Sequence, residues 1–143
     1  MSEFLLRALS LADAAFTEAE ESYRWALAVV QRCLGPDDPE AATLHRRWAD
    51  LECLRGRTAE AESHVRQAVA IRTAALGAGH PDVAIDVVAL GSLLVLQNRL
   101  DEAEALLRRA RITLEAVFGP ESSEAVLVAR ELTLLYEARG DTP

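Results

Sequence analysis

The side chains of this sequence that could do chemistry are few. Three histidines (His45, His64, His80), two cysteines (Cys33, Cys53) and three copies of a Glu-Ala-Glu triplet are the candidates. The histidines form no His-x-x-x-His pair, and the expected layout puts His45 and His64 on neighbouring helices at different depths, with His80 in a far loop. No metal site is therefore expected. Cys33 and Cys53 end successive helices that run in opposite directions, so a disulfide is not expected. Cys53 is a candidate ligand-contacting or modifiable thiol, with a small packing residue as the ordinary alternative. Paired carboxylates suit acid/base catalysis only when their environments differ. Three identical triplets at Glu18-Ala19-Glu20, Glu60-Ala61-Glu62 and Glu102-Ala103-Glu104 point instead to surface and capping roles. Ser63-His64 is a lone adjacency. With no phosphate-cradling glycine loop or nucleophile elbow, neither an enzyme nor a cofactor is expected.

The triplets lie 42 residues apart, and that spacing organises the whole chain. Residues 16–57 and 58–99 agree at 13 of 42 aligned positions. Ala26, Ala68 and Ala110 keep the register, as do Leu34-Gly35, Leu76-Gly77 and Phe118-Gly119, while Gly56, Asn98 and Gly140 close the units. Asp38-Pro39 and His80-Pro81 read as N-cap and first helical residue, and Ser122 caps the third copy. Leu6 falls in register with Trp48, Leu90 and Leu132, so the first dozen residues are expected to be an equivalent helix and not a leader. The breakers predict seven helices, at about 2–13, 16–34, 39–55, 58–76, 81–97, 100–118 and 122–138. Short loops make neighbours antiparallel.

Composition agrees with an all-α reading. The 143 residues are half hydrophobic but only 5% aromatic, enough for a core and biased toward helix. A formal charge of −8 disfavours nucleic acid and anionic membranes as partners. No apolar stretch is long enough for a bilayer span. Two cysteines are too few for a disulfide framework, which makes the cytoplasm the expected compartment.

The pattern Leu-Gly-x-x-x-Pro, an apolar helix ending near glycine or asparagine, then Glu-Ala-Glu, arginine and alanine, resembles the 42-residue tetratricopeptide repeat of kinesin light chains. The resemblance covers almost the whole chain. Ala61, Glu62, Val65 and Ala68 match the packing face of the second helix of a unit, and the small residues Ala49 and Gly91 match the close-contact site on the first. Thr133 departs from that pattern, which marks the last helix as a terminal cap solvated by Arg130, Glu131, Glu137 and Arg139. The resemblance implies a single domain over 1–143: a right-handed α-solenoid of three antiparallel helix pairs (about 2–34, 39–76 and 81–118) and a C-terminal capping helix (122–138).

It also implies a protein or peptide partner on the concave face. Carried over residue by residue, that face takes Phe4, Ala8 and Leu11 from the first helix, then Thr43, Arg46, Asp50 and Cys53. Ile85, Val88, Ser92 and Val95 follow, then Leu127, Arg130, Leu134 and Glu137. Helix 81–97 is apolar nearly all round. Either curvature buries Ile85, Val88 and Val95, or they form an exposed stripe for a partner helix, an extended peptide or a second copy of the chain. Arg46 and Arg130 are expected either to grip ligand carboxylates or to pair within the molecule. The lysine- and asparagine-based peptide clamp of some tetratricopeptide proteins is not expected, because all fifteen basic residues are arginine. The expected function is a non-catalytic interaction scaffold. Its alternatives are a homo-oligomerisation module and a regulatory or sensor subunit of a larger signalling or ATPase system.

Overall fold

The computed structural model describes residues 2–140, which form six α-helices: α1 (Glu3–Cys33), α2 (Pro39–Leu54), α3 (Thr58–Leu76), α4 (Pro81–Leu96), α5 (Leu100–Phe118) and α6 (Ser123–Arg139). The starts of α2, α4 and α6 have a local cause. Asp38 accepts from the amide of Glu40, His80 Nδ1 from that of Asp82 and Ser122 from that of Ala125, which satisfies donors that a helix start leaves open. Pro39 and Pro81 occupy first-turn positions that need no amide.

The ends are set by positive-φ residues. Gly56, Asn98 and Gly140, at φ of 75°, 59° and 80°, turn the chain out of the first helix of each unit. Asparagine is one of the few residues besides glycine that reaches this region at low cost. The 42-residue period of the sequence is thus a period of backbone handedness.

That rule explains why there are six helices where the spacing predicts seven. The position equivalent to Gly56 in the first unit is Ala14, a strong helix former that disfavours the left-handed region. The predicted pair 2–34 is therefore one 31-residue helix without a turn at residues 14–15. No residue of α1 is fully buried, and residues 2–15 are all exposed. Its C-terminal half lies against α2, where Arg55 bonds Glu20 at 3.0 Å and sits over the ring of Phe16.

From α2 to α6 each helix packs on its sequence neighbours, and α4 also meets α6, so the first helices of successive units form one layer and the second helices another. Val65, Leu94, Leu107, Leu114, Val128 and Leu135 are completely buried between the layers. Gly91 is placed where α4 and α5 come closest. A Cβ there would lie 2.7 Å from Leu107 Cγ, inside contact distance. Ala49, also buried, holds the same place in α2. Gly91→Val is expected to destabilise the fold by about 2 kcal/mol through overpacking, read as a lower urea midpoint with an unchanged slope.

Candidate functional site

Where the first helix of one unit meets the second, the structure brings together side chains that spacing alone had kept apart. His45 and His64 face one another with their Nδ1 atoms 3.1 Å apart. The expectation that they lie at different depths is corrected: His45 stands eleven residues before the Gly56 turn and His64 eight after it, so they are nearly level. Counting outward from the turn would have found them. His64 stacks on Trp48 at 4.1 Å and Trp48 on Tyr23 at 6.0 Å, and Arg24 sits over the Trp48 ring. Trp48 Nε1 donates to Oε1 of the buried Glu52, whose Oε2 has no hydrogen-bond donor.

Burial, with a smaller contribution from His64, holds His45 down to about 4. Burial also lowers His64. The neutral pair shares one proton, one Nδ1 donating and the other accepting. Among the described residues, no group of three or more His, Cys, Asp or Glu side chains is arranged to hold a metal ion.

Four of the predicted concave-face residues do converge. Thr43, Arg46 and Asp50 of α2 and Ile85 of α4 line one cleft of about 420 Å³ together with Arg47, Arg72 and Asp86. Asp86 is its buried centre. Arg72 Nη1 donates to Asp86 at 2.5 Å while its Nη2 reaches Thr43 at 3.0 Å, and Arg46 Nε lies 3.1 Å from the other carboxylate oxygen. Burial pushes the Asp86 carboxyl up, and the two guanidiniums oppose it. Arg46 is thus paired within the molecule, and Asp86, which sequence reasoning passed over, is the residue that organises the cleft. Its signal was an acid within the apolar run of residues 81–97.

The remaining predicted residues divide. Val88 is only 3% exposed and belongs to the main hydrophobic core, so of the two alternatives burial holds for it, and its place among the candidate face residues is corrected. Ile85, Val95 and Leu127 are half-buried against that core. Ser92 is half-buried, whereas Cys53, Arg130 and Leu134 are exposed. Leu127 and Arg130 border a separate shallow cleft on α6. Phe4 and Leu11, 79% and 67% exposed, stand on the projecting half of α1, away from the cleft. Partial burial and the carboxylate of Asp50 raise the Cys53 thiol, which makes it a weak nucleophile. Cys33 and Cys53 are both free.

The triplets prove to be joints between units. Their last glutamates accept from the residue 35 positions on: Glu20 from Arg55, Glu62 from Gln97 and Glu104 from Arg139. Arg139, expected only to solvate the last helix, binds Glu104 and Asp101 of α5.

Two further clefts lie outside the predicted face. One of about 420 Å³ is lined largely by apolar residues of α3, α4 and α5, among them Val69, Val83, Val87 and Leu106. The other, about 780 Å³, lies between α5 and α6 and is bordered by Thr133, the residue standing where Ala49 and Gly91 stand in earlier units.

The tetratricopeptide repeat model matches residues 40–111, and the chain belongs to that family. Among solved structures, BtubC (BKLC) from P. vanneervenii superposes with a TM-score of 0.77 at 22% identity, covering 90% of this chain and 51% of that one. The nearly identical TPR-like repeats of a candidate kinesin light chain from Podosopora anserina superpose with a TM-score of 0.76 at 21% identity, covering 95% and 64%. The fold is thus a kinesin light chain-like tetratricopeptide solenoid, and the chain spans between half and two thirds of the length of these structures. No curated protein matches in sequence.

Two outcomes follow from this geometry. Val88→Asp places a carboxylate in the core and is expected to unfold the chain, with loss of the helical circular dichroism signal. The unfolded chain protonates histidine near pH 6.5, while the folded pair stays neutral to about pH 4 at His45. The stability tied to this difference is complete above about pH 6.5 and is lost as pH falls toward about 4. The melting temperature should therefore drop across that window. It should drop less in a His45→Val, His64→Leu variant, which imports the residues of the next unit (Val87 and Leu106).

Proposed function

We propose that this chain is a non-catalytic interaction module, one continuous repeat array over 1–143, that holds a peptide or helix of a partner protein on the face lined by α2, α4 and α6. The observation that carries this reading is the cleft around Asp86. Arg46 and Arg72 share a single carboxylate there, so guanidinium donors remain for an acidic group on a ligand, and Ile85 supplies an apolar wall. Thr43, Asp50, Ser92, Val95, Leu127, Arg130 and Leu134 extend the surface along the inner helices, with Cys53 at its edge. Phe4 and Leu11 hold the matching register positions on α1, apart from this surface in the single copy. Tetratricopeptide repeats generally mediate protein–protein contacts, which supports the class of partner.

The net charge of −8 argues against nucleic acid and anionic lipid as partners. No helix among the described residues is long and apolar enough to cross a membrane. A cytoplasmic setting accords with two unpaired cysteines.

Selection of displayed random peptides on the whole chain tests the reading. Enriched peptides should combine an acidic residue with an adjacent apolar one. Arg47→Glu, which alters an exposed residue at the rim of the cleft, should weaken them by about tenfold without changing the melting temperature. Enrichment of no sequence class, or binding indifferent to this substitution, would count against it.

A further inference from the structure

In the 42-residue register, residues 3–13 hold the place of α2, α4 and α6, and residues 16–33 that of α3 and α5. The first unit therefore contains both helices of a pair, written as one straight rod. The consequence is a missing cover. In α3 and α5, Ala61, Ala68, Ala103 and Ala110 are fully enclosed, because each of these helices lies between two helices of the first kind. Ala19 and Ala26 hold the same positions in α1 and are only half-buried. Ser22 and Val29, whose counterparts His64, Leu106, Ile71 and Thr113 are half-buried, are exposed. The segment with the register of the missing helix lies at the other end of the same rod, where Phe4, Leu5, Leu6, Leu9 and Leu11 are all exposed.

We propose that two copies of this chain pair through α1, antiparallel about a two-fold axis at Ala15, so that residues 3–14 of each copy cover residues 16–27 of the other. The later units fix the alignment. Gly91 faces Leu107, and Trp48 stacks on His64. Transposed by the repeat, these contacts set Arg7 opposite Tyr23 and Leu6 opposite Ser22, pairs centred on residues 14–15. A straight helix meets its own copy in that register with large residues over small ones: Phe4 over Ala26, Leu11 over Ala19, and Ala15 on itself. Opposite charges also fall within one turn of each other across the seam, Glu3 near Arg24 and Arg7 near Glu21, whereas a parallel pairing would stack like on like.

Each contact class already exists inside the later units, so the second copy supplies what a neighbouring segment supplies elsewhere, as in any exchange of identical elements. Two features favour a second copy over a hairpin within one chain. Ala14 opposes the left-handed turn that a hairpin needs. Arg7 stands where Ala49 and Gly91 permit the closest approach, and two free rods can adopt the wider spacing that a tight loop forbids. The pairing also delivers Phe4 and Leu11 to the partner's inner face beside α2, and this last consequence rests on the proposed groove while the pairing itself does not.

Sedimentation velocity and light scattering on the whole chain, from low micromolar to sub-millimolar concentration, test the pairing. A concentration-dependent dimer is expected. Leu11→Glu changes a residue exposed in the single copy and should raise the dimer dissociation constant by about tenfold or more with the helical signal intact. In a Cys33→Ser, Cys53→Ser background, Ala15→Cys should form a covalent dimer under mild oxidation, because a residue on the axis faces itself. A monomer at every concentration overturns the proposal. So does a dimer that Leu11→Glu leaves intact and Ala15→Cys does not trap. Neither readout depends on peptide binding, so failure of the groove leaves this test unaffected.

Discussion

Each unit of this solenoid depends on one residue that leaves the helical region with the opposite hand. Gly56, Asn98 and Gly140 end the first helix of their units at φ between 59° and 80°, and only then can the chain return alongside itself. The choice is nearly binary. An ordinary residue in the left-handed region costs roughly 1–2 kcal/mol, and alanine adds the best intrinsic helix propensity on the other side of the balance. With Ala14 at this place the helix runs on, and a shorter and a longer element become one rod of 31 residues. The units share a register and the same kinds of packing position, yet one methyl group separates a hairpin from a rod.

Once a unit has turned, carboxylates and guanidiniums fix how it stacks on the next. The last glutamate of each triplet reaches the end of the following first helix, and the Arg55 hydrogen bond holds the Glu20 carboxyl below its usual range. These bonds are part-buried; ion pairs at a protein surface contribute modestly to stability, with a median near 0–1 kcal/mol. Their recurrence at 35-residue spacing makes them a register device, while Val65, Leu107 and Leu114 supply the burial. Between α2, α3 and α4 the same logic works with less water. Asp86 is held by two arginines from two helices, so losing either would leave a buried charge short of its partners.

Much of this was readable before any coordinates. Periodicity located the helices, the capping residues and the close approach at Ala49 and Gly91, because those depend on local backbone preference and on small residues recurring at one place. Two kinds of feature do not show in the pattern of any single helix. The continuity of α1 depends on a substitution at one register position, and the period itself argues the other way. The pairing of His45 with His64, and of Arg46 with Asp86, depends on how far a residue stands from a turn and on which neighbour shares its level, and no single-helix pattern carries that information. Of the candidate face, Thr43, Arg46, Asp50 and Ile85 converge on one cleft. Val88 does not join them, because the resemblance assigns positions and not exposure.

The fate of Val88 shows where free surface collects among the described residues. Among the first-type helices of the described residues, α4 has partners on both sides: it packs on α3, α5 and α6, and its Asp86 is bound by Arg46 of α2. A helix enclosed in this way is apolar nearly all round because nearly all of it is covered. The surplus that suggested a docking stripe is therefore the signature of a middle position. Unsatisfied surface collects at the ends instead, where a solenoid unit lacks one neighbour. At one end Phe4, Leu6 and Leu11 stand uncovered on α1, and at the other the cleft between α5 and α6 opens beside Thr133. The pairing proposed through α1 covers one of these surfaces with contacts of the kind that join the later units.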